Sequence, residues 1–186
     1  MIDRTNIQKL LGKLPRAPGA DLYNGASANT LDGFSTRTGI VLPKDVRDWL
    51  QFTNAPNVGL CTLLGIGVRE DADIEAILEF HPEWLRHHWL PIATDGCGNY
   101  YVVPTRGDFG EGYPVLFIDT MADHNSPAYI VASSIGRFLE FFFDNQLKDH
   151  SFTFDKVGWP FDKDYVTKRD PDIARFKNVR LPWECE

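Results

Sequence analysis

The sequence predicts an α+β fold: a mainly antiparallel sheet of short strands with helices packed on one face and flanking it. Three observations carry that expectation. The first third holds apolar residues at helical spacing. The middle changes to short runs rich in β-branched and aromatic residues, "WLPIA", "NYYVV", "PVLFI" and "AYIVA", separated by glycine, aspartate and asparagine turns. Helical spacing then returns in "SSIGRFLEFFFDNQL". Helices, then a run of strands, then helices again segregate the two kinds of element, and consecutive short strands with tight turns make an antiparallel meander.

Each element has a local reason. Ile7, Leu10, Leu11 and Leu14 fall on one helical face, with Thr5 as N-cap and Gly12 costing about 1 kcal/mol against alanine, so a helix over 5–14 must dock to persist. "PRAPGADLYNGAS" reads as a linker. A second helix is predicted from about Asn29 to Thr38, with Leu31 and Phe34 inward and Gly39 ending it. A third opens at Pro43, whose missing N–H has no bond to lose there, and carries Val46, Trp49 and Leu50 as its apolar stripe. Asn54-Ala55-Pro56-Asn57 closes it. Residues 60–68, "LCTLLGIGV", read as a strand, and a helix is predicted to start near Asp71, with Pro82 interrupting it. Ser133 or Ser134 caps the helix that presents Ile135, Phe138, Leu139 and Phe142 to one side. Asp170-Pro171-Asp172 has the form of a helix start, and Phe152, Phe154, Trp159, Phe161 and Trp183 predict that the C-terminal extension, 148–186, packs on the body.

At 186 residues, 43% hydrophobic and 13% aromatic, the chain has the length and apolar content of one domain with a real core. The net charge of -7 disfavours direct contact with nucleic acid phosphates and favours a basic partner. The N-terminus has acid, base and proline where a signal peptide needs an apolar run, and no segment approaches the roughly 18 apolar residues of a membrane span. Cys61, Cys97 and Cys185 are odd in number and widely spaced, which gives neither a disulfide framework nor a zinc ribbon. The expectation is a soluble protein in a reducing compartment, most simply the cytoplasm.

Four constellations could carry chemistry. "DGCGN", residues 95–99, could hold a reactive thiol, cradle a phosphate or turn the chain. It lacks the Gly-Lys-Ser/Thr grip of a phosphate loop and is followed by a strand where a dinucleotide fingerprint needs a helix. Asp95-Gly96 and Gly98-Asn99 are hairpin dipeptides, so the turn is the favoured reading. His81, His87 and His88 miss the zinc-protease spacing: His81 and His88 would be about 10 Å apart along a helix. Asp119, Asp123 and His124 follow a strand, where carboxylates and a histidine could serve a metal or a hydrolase, but they meet no calcium-loop pattern. Finally, "REDADIEAILEFHPE" sets Glu70, Asp71, Asp73, Glu75, Glu79 and Glu83 against Arg69. A solvated face is the plain reading, a docking face for something basic the sharper one. Glu75, Glu79 and Glu83 would stack along one side if the helix ran through Pro82. No nucleophile elbow or kinase signature is present, and no cofactor or metal is expected.

"LPKDVRDWLQFTN" (42–54), "WLPIATDGCGNYYVV" (89–103), "PVLFID" (114–119) and "YIVASSIGRFLEFFF" (129–143) together resemble the SUKH superfamily, with the motifs in the family's order across about residues 27–147. This group is named after fungal cell-wall assembly regulators and includes many bacterial immunity proteins. The resemblance implies a compact α+β domain without enzymatic activity, in which Asp95 to Asn99 is the Asp-Gly-x-Gly-Asn/Asp turn between two strands. Pro43 matches the proline that opens the family's helix, and Ser133-Ser134 the cap of its next long helix. One departure is Asn54-Ala55-Pro56-Asn57, where the family often has Asn-Gly-Gly. Alanine and proline do not readily take positive φ, so that loop is expected to follow another path.

On that resemblance the chain is expected to be a single SUKH-like domain over 1–186, non-enzymatic, and an immunity protein that binds a basic bacterial toxin such as a nuclease. Glu70, Asp71, Asp73 and Glu75 are the candidate partner-binding residues. The alternative is a cytoplasmic regulatory scaffold or adaptor that binds an endogenous protein. A third reading, a small enzyme using Cys97 or the Asp119/Asp123/His124 group, stays open because fold never excludes activity.

Overall fold

Strands β1 (Trp89–Thr94), β2 (Tyr100–Pro104), β3 (Val115–Ile118) and β4 (Tyr129–Ala132) form one antiparallel sheet in the order β1-β2-β3-β4. The computed structural model describes residues 4–14, 24–56, 62–148 and 158–185. Register puts Tyr101 opposite Phe117 and Phe117 opposite Tyr129. Their rings form a row across the sheet, with centroids 5.3 Å and 5.0 Å apart. Such cross-strand pairs pin the register that the strands' period of two sets up.

Helix α6 (Ile135–Lys148) lies on that aromatic row, with Phe138 4.9 Å from Tyr101. The sequence predicts one apolar stripe. The structure buries Phe141 and Phe143 as well, because α6 is covered on several sides. Phe141 meets Trp159 of the C-terminal extension, and Phe143 meets Trp49 of α3 (Lys44–Phe52). Each phenylalanine so buried contributes about 2–3 kcal/mol of transfer free energy. Helix α1 (Arg4–Leu11) also docks on α6, through the buried face of Ile7 and Leu11. The helix already runs at Arg4, so Thr5 stands in its first turn and not at the N-cap. The predicted linker falls largely on residues 15–23, outside the described residues.

The next two helices end as their residues dictate. In α2 (Ala28–Thr38) the Ser27 hydroxyl accepts the Thr30 N–H at 3.1 Å, and Gly39 closes the helix at φ 71°. Pro43 is the N-cap of α3. In α6 the cap is Ser134, whose hydroxyl accepts from Arg137 N–H at 3.4 Å.

Further expectations fail, most of them for a non-local reason. Residues 62–68 do not form a strand: one antiparallel bridge, Leu63 to Ala93, and one parallel bridge, Gly65 to Asp73, are all that remain of the ladder. Leu64 N–H still donates to Ile92 and Thr94 N–H to Thr62, so the segment covers the open edge of β1 before Gly67, at φ 67°, turns it away. The helix expected near Asp71 begins as a 3₁₀ turn, Glu70–Ala72, and becomes α4 (Ile74–Phe80) only after Asp73. Pro82 does interrupt the helix, as expected: it opens a separate helix, α5 (Pro82–His87), so Glu83 does not continue the column of Glu75 and Glu79.

Asp170-Pro171-Asp172 starts only a 3₁₀ turn, Pro171–Arg175, and the Asp170 carboxylate does not cap it. That carboxylate instead accepts the Ser133 N–H at 2.7 Å, where β4 hands over to α6. The rest of the extension, a 3₁₀ turn at Trp159–Phe161, α7 (Lys163–Arg169) and a 3₁₀ turn at Pro182–Glu184, closes over β4. Phe161 meets Tyr129, and Ile130 N–H donates to Arg180. Trp159 and Trp183 pack against the core as predicted, whereas Phe152 and Phe154 lie outside the described residues.

The loop after α3 overturns the last expectation. Ala55 does take positive φ, 56°, where the resemblance places glycine. Asn54 explains why. Its side-chain amide donates to the Ile66 carbonyl and accepts the Ile66 N–H, both at 2.9 Å. Gly65 meanwhile packs so close that an added Cβ would stand 2.5 Å from Asn54 Oδ1 and 2.9 Å from Ala55 N. The clamp holds a backbone conformation that alanine alone disfavours.

Candidate partner-binding surface

The residues singled out for chemistry resolve first into turn geometry. In the β1–β2 connection, Asp95 Oδ1 accepts the N–H of Cys97 at 2.7 Å and of Asn99 at 3.0 Å. Asp95 Oδ2 accepts the Asn99 side-chain amide at 2.8 Å. Gly96 and Gly98 supply φ of 80° and 97°. Cys97 is carried exposed at the tip. The neighbouring β3–β4 loop repeats the device. Asp119 accepts from Met121 and Ala122 N–H, and Asp123 accepts from Asn125 N–H. Thr120 N–H donates to Asn99 Oδ1 at 3.1 Å and ties the two loops together.

The histidines are packing groups. His81 lies flat on Trp84, centroids 3.9 Å apart, and edge-on to Tyr100. Burial, with His124 nearby, holds its pKa below the usual imidazole value. Trp84 Nε1 donates to the His124 carbonyl at 2.6 Å, fastening α5 to the β3–β4 loop. His88, at φ 54°, is pushed down by burial and by the guanidinium of Arg106 at 2.7 Å. His87 stacks with Trp89. Among the described residues no group of three or more His, Cys, Asp and Glu could hold a metal ion.

The four acids predicted for partner binding divide into two kinds. Glu70 and Asp71 are exposed, with Asp71 2.7 Å from Arg69. Asp73 is only 9% exposed. It caps α4 by accepting from Glu75 and Ala76 N–H, and its other oxygen accepts from Val68 N–H. Glu75 receives a two-bond guanidinium contact from Arg37, at 2.8 Å and 2.6 Å, which ties α4 to α2.

Among the described residues, four exposed large apolar side chains escaped the sequence reading: Val41, Phe80, Tyr113 and Met121. Phe80 is 77% exposed and Met121 90% exposed. Phe80 is the last residue of α4, next to the Pro82 break and off the face that Ile74, Ile77 and Leu78 bury. Met121 stands in a polar loop that gives no sign of an apolar contact. Charge is uneven in the same region. Residues 57–125 hold eleven Asp and Glu against three Arg and no Lys, a net of -8, so the rest of the chain is close to neutral. Opposite in character is an open cleft of about 600 Å³ near the N-termini of α3 and α6. Lys44, Arg137 and Arg175 line it together with Asp45, Glu140 and Asp172, so it has no dominant sign.

The site thus consists of a four-stranded meander with side-chain-capped turns and one strongly acidic region. The chain matches the SMI1 / KNR4 family (SUKH-1) over residues 25–140 and belongs to that family. The family is generally non-enzymatic, and its members are commonly immunity proteins or SMI1/KNR4-like regulators. No curated protein matches the chain. Among the described residues, no helix is long and apolar enough to cross a membrane.

Proposed function

We propose that this chain is a non-enzymatic protein-binding domain of the immunity type, which neutralises a basic bacterial toxin, such as a nuclease, by covering its working surface. One observation carries the reading: the negative charge is gathered in residues 57–125 of a SUKH-1 family member and not spread over it. Such a field steers a basic partner into encounter and repels nucleic acid. Glu70 and Asp71 face the partner directly, while Asp73 and Glu75 hold α4 in place behind them and add to the same field. The whole chain, 1–186, acts as one domain, since α1 and the C-terminal extension both pack on α6 or the sheet. It works in the cytoplasm, in keeping with the unbridged Cys97 and Cys185.

Co-expression with the toxin encoded beside it is the test. The expected result is relief of killing and a complex on a sizing column, with an association rate that falls as salt rises. Unrelieved killing with no complex removes the reading. The regulators within the family favour one other function, an adaptor for an endogenous protein. Affinity capture that returned one host protein at equal stoichiometry, with no toxin gene nearby, would select it.

A further inference from the structure

We infer that the complex is anchored at one end of the sheet, where Phe80 and Met121 enter an apolar centre in a basic partner's surface and the surrounding carboxylates meet that surface's Lys/Arg rim. This rests on the binding function proposed above and says where on the chain the partner is held. Three segments meet at this end: the β1–β2 turn, the β3–β4 loop and the α4–α5 junction. They are joined by the Trp84–His124 and Thr120–Asn99 hydrogen bonds. Phe80 stands edge-on to His81, centroids 4.9 Å apart, and His81 is itself stacked on Trp84.

The platform is therefore ordered before any partner arrives, which lowers the entropic cost of using it. On it stand two large apolar side chains left almost bare. Aromatic and methionine side chains are the types enriched in interface cores, and methionine adapts to irregular partners.

Charge names the occupant. Residues 79–84, 94–100 and 118–128 contain five Asp and Glu and no Lys or Arg. Asp95, Asp119 and Asp123 each give an oxygen to their own turns, but Glu79 and Asp123 are also exposed. An acidic partner, a nucleic acid or an anionic membrane would be repelled from these two side chains. A basic protein is drawn to them. The surface is continuous with Glu70 and Asp71, since α4 spans only about 10 Å between them and Phe80.

The test is a binding measurement with the inactivated toxin domain encoded beside the chain, with polylysine as a probe of charge alone. In F80A/M121A, the toxin domain should dissociate about 30-fold faster, while polylysine binds as before and the melting temperature is unchanged. In E79Q/D123N, association should slow about threefold at low salt, and the difference should vanish at high salt. Toxin dissociation within twofold of wild type in F80A/M121A overturns the anchor and leaves the proposed function standing. No binding by the wild-type chain overturns the proposed function, and the anchor with it.

Discussion

The turn at Asp95–Asn99 and the clamp between Asn54 and Ile66 both use one short polar side chain to satisfy backbone groups, but they do so at different ranges. Asp95 reaches four residues along its own loop, at a half-exposed site, with Gly96 and Gly98 supplying the left-handed backbone. Asn54 reaches twelve residues away, onto Ile66, which is 1% exposed, while Ala55 carries a positive φ with no glycine to ease it. A local turn can exchange its partners for water. A buried long-range clamp cannot, because a backbone N–H and C=O left unpaired there bear the full desolvation cost.

The largest effect should come from closing the gap that the clamp needs. Gly65→Ala would put a Cβ 2.5 Å from Asn54 Oδ1 and 3.0 Å from Ala55 Cβ, so backbone must move. We expect a loss of about 3 kcal/mol, read as a lower urea midpoint at unchanged slope. Next comes the direct contrast. Asn54→Ala should cost about 2 kcal/mol, since it strands both Ile66 groups, and Asp95→Ala about 1 kcal/mol, although Asp95 makes three bonds to Asn54's two. Equal losses in paired denaturation curves would show that range and burial do not separate the two regions.

Asp170 extends the comparison to a carboxylate. It too acts at long range, accepting the Ser133 N–H from 37 residues away while only 1% exposed. Burial holds its pKa above the usual carboxylate value, against the lowering effects of the Ser133 hydrogen bond and Arg137 and with a small push from Asp172. The sign follows by linkage. Between the unfolded value, about 4, and the raised folded value, the native chain binds more protons than the unfolded one. Stability therefore falls as pH rises through that window, and the loss is complete above it. Asp170→Asn keeps an acceptor for Ser133 and removes the proton. Urea midpoints across pH 4–7 should slope downward less in the variant than in the wild type, and an unchanged slope refutes the assignment.

These elements also explain what the residues revealed in advance. The helices over 28–38 and 44–52, the four strands and the Asp95 turn were legible because period, caps and glycines act within a few positions. The resemblance to the SUKH superfamily was legible for the same reason, resting on the same turn and caps in order. Residues 62–68 misled because apolar composition does not show that Gly65 must lie against Asn54-Ala55. Asp170 misled because its best partner is remote. At the candidate site, the acidic run was plain, but its division was not: which acids cap or clamp and which stay exposed depends on Val68 and Arg37, brought in from elsewhere. The bare side chains of Phe80 and Met121 follow from a helix break and a loop tip, which set exposure only once the fold exists.

The smallest predicted effect is the most direct probe of the clamp. At Ala55, φ of 56° places Cβ against the following carbonyl, at a cost of about 1–2 kcal/mol that glycine would not bear. Glycine brings its own cost, about 0.5–1 kcal/mol of extra freedom in the unfolded chain. The difference favours the variant, so Ala55→Gly should stabilise the protein by about 0.5 kcal/mol, seen as a small rise in urea midpoint. Combined with Asn54→Ala, the same substitution should recover less than it gives alone. Without the clamp, alanine can leave the left-handed region and shed the strain that glycine would relieve. Strict additivity of the two changes would mean that Asn54 does not enforce the conformation of its neighbour.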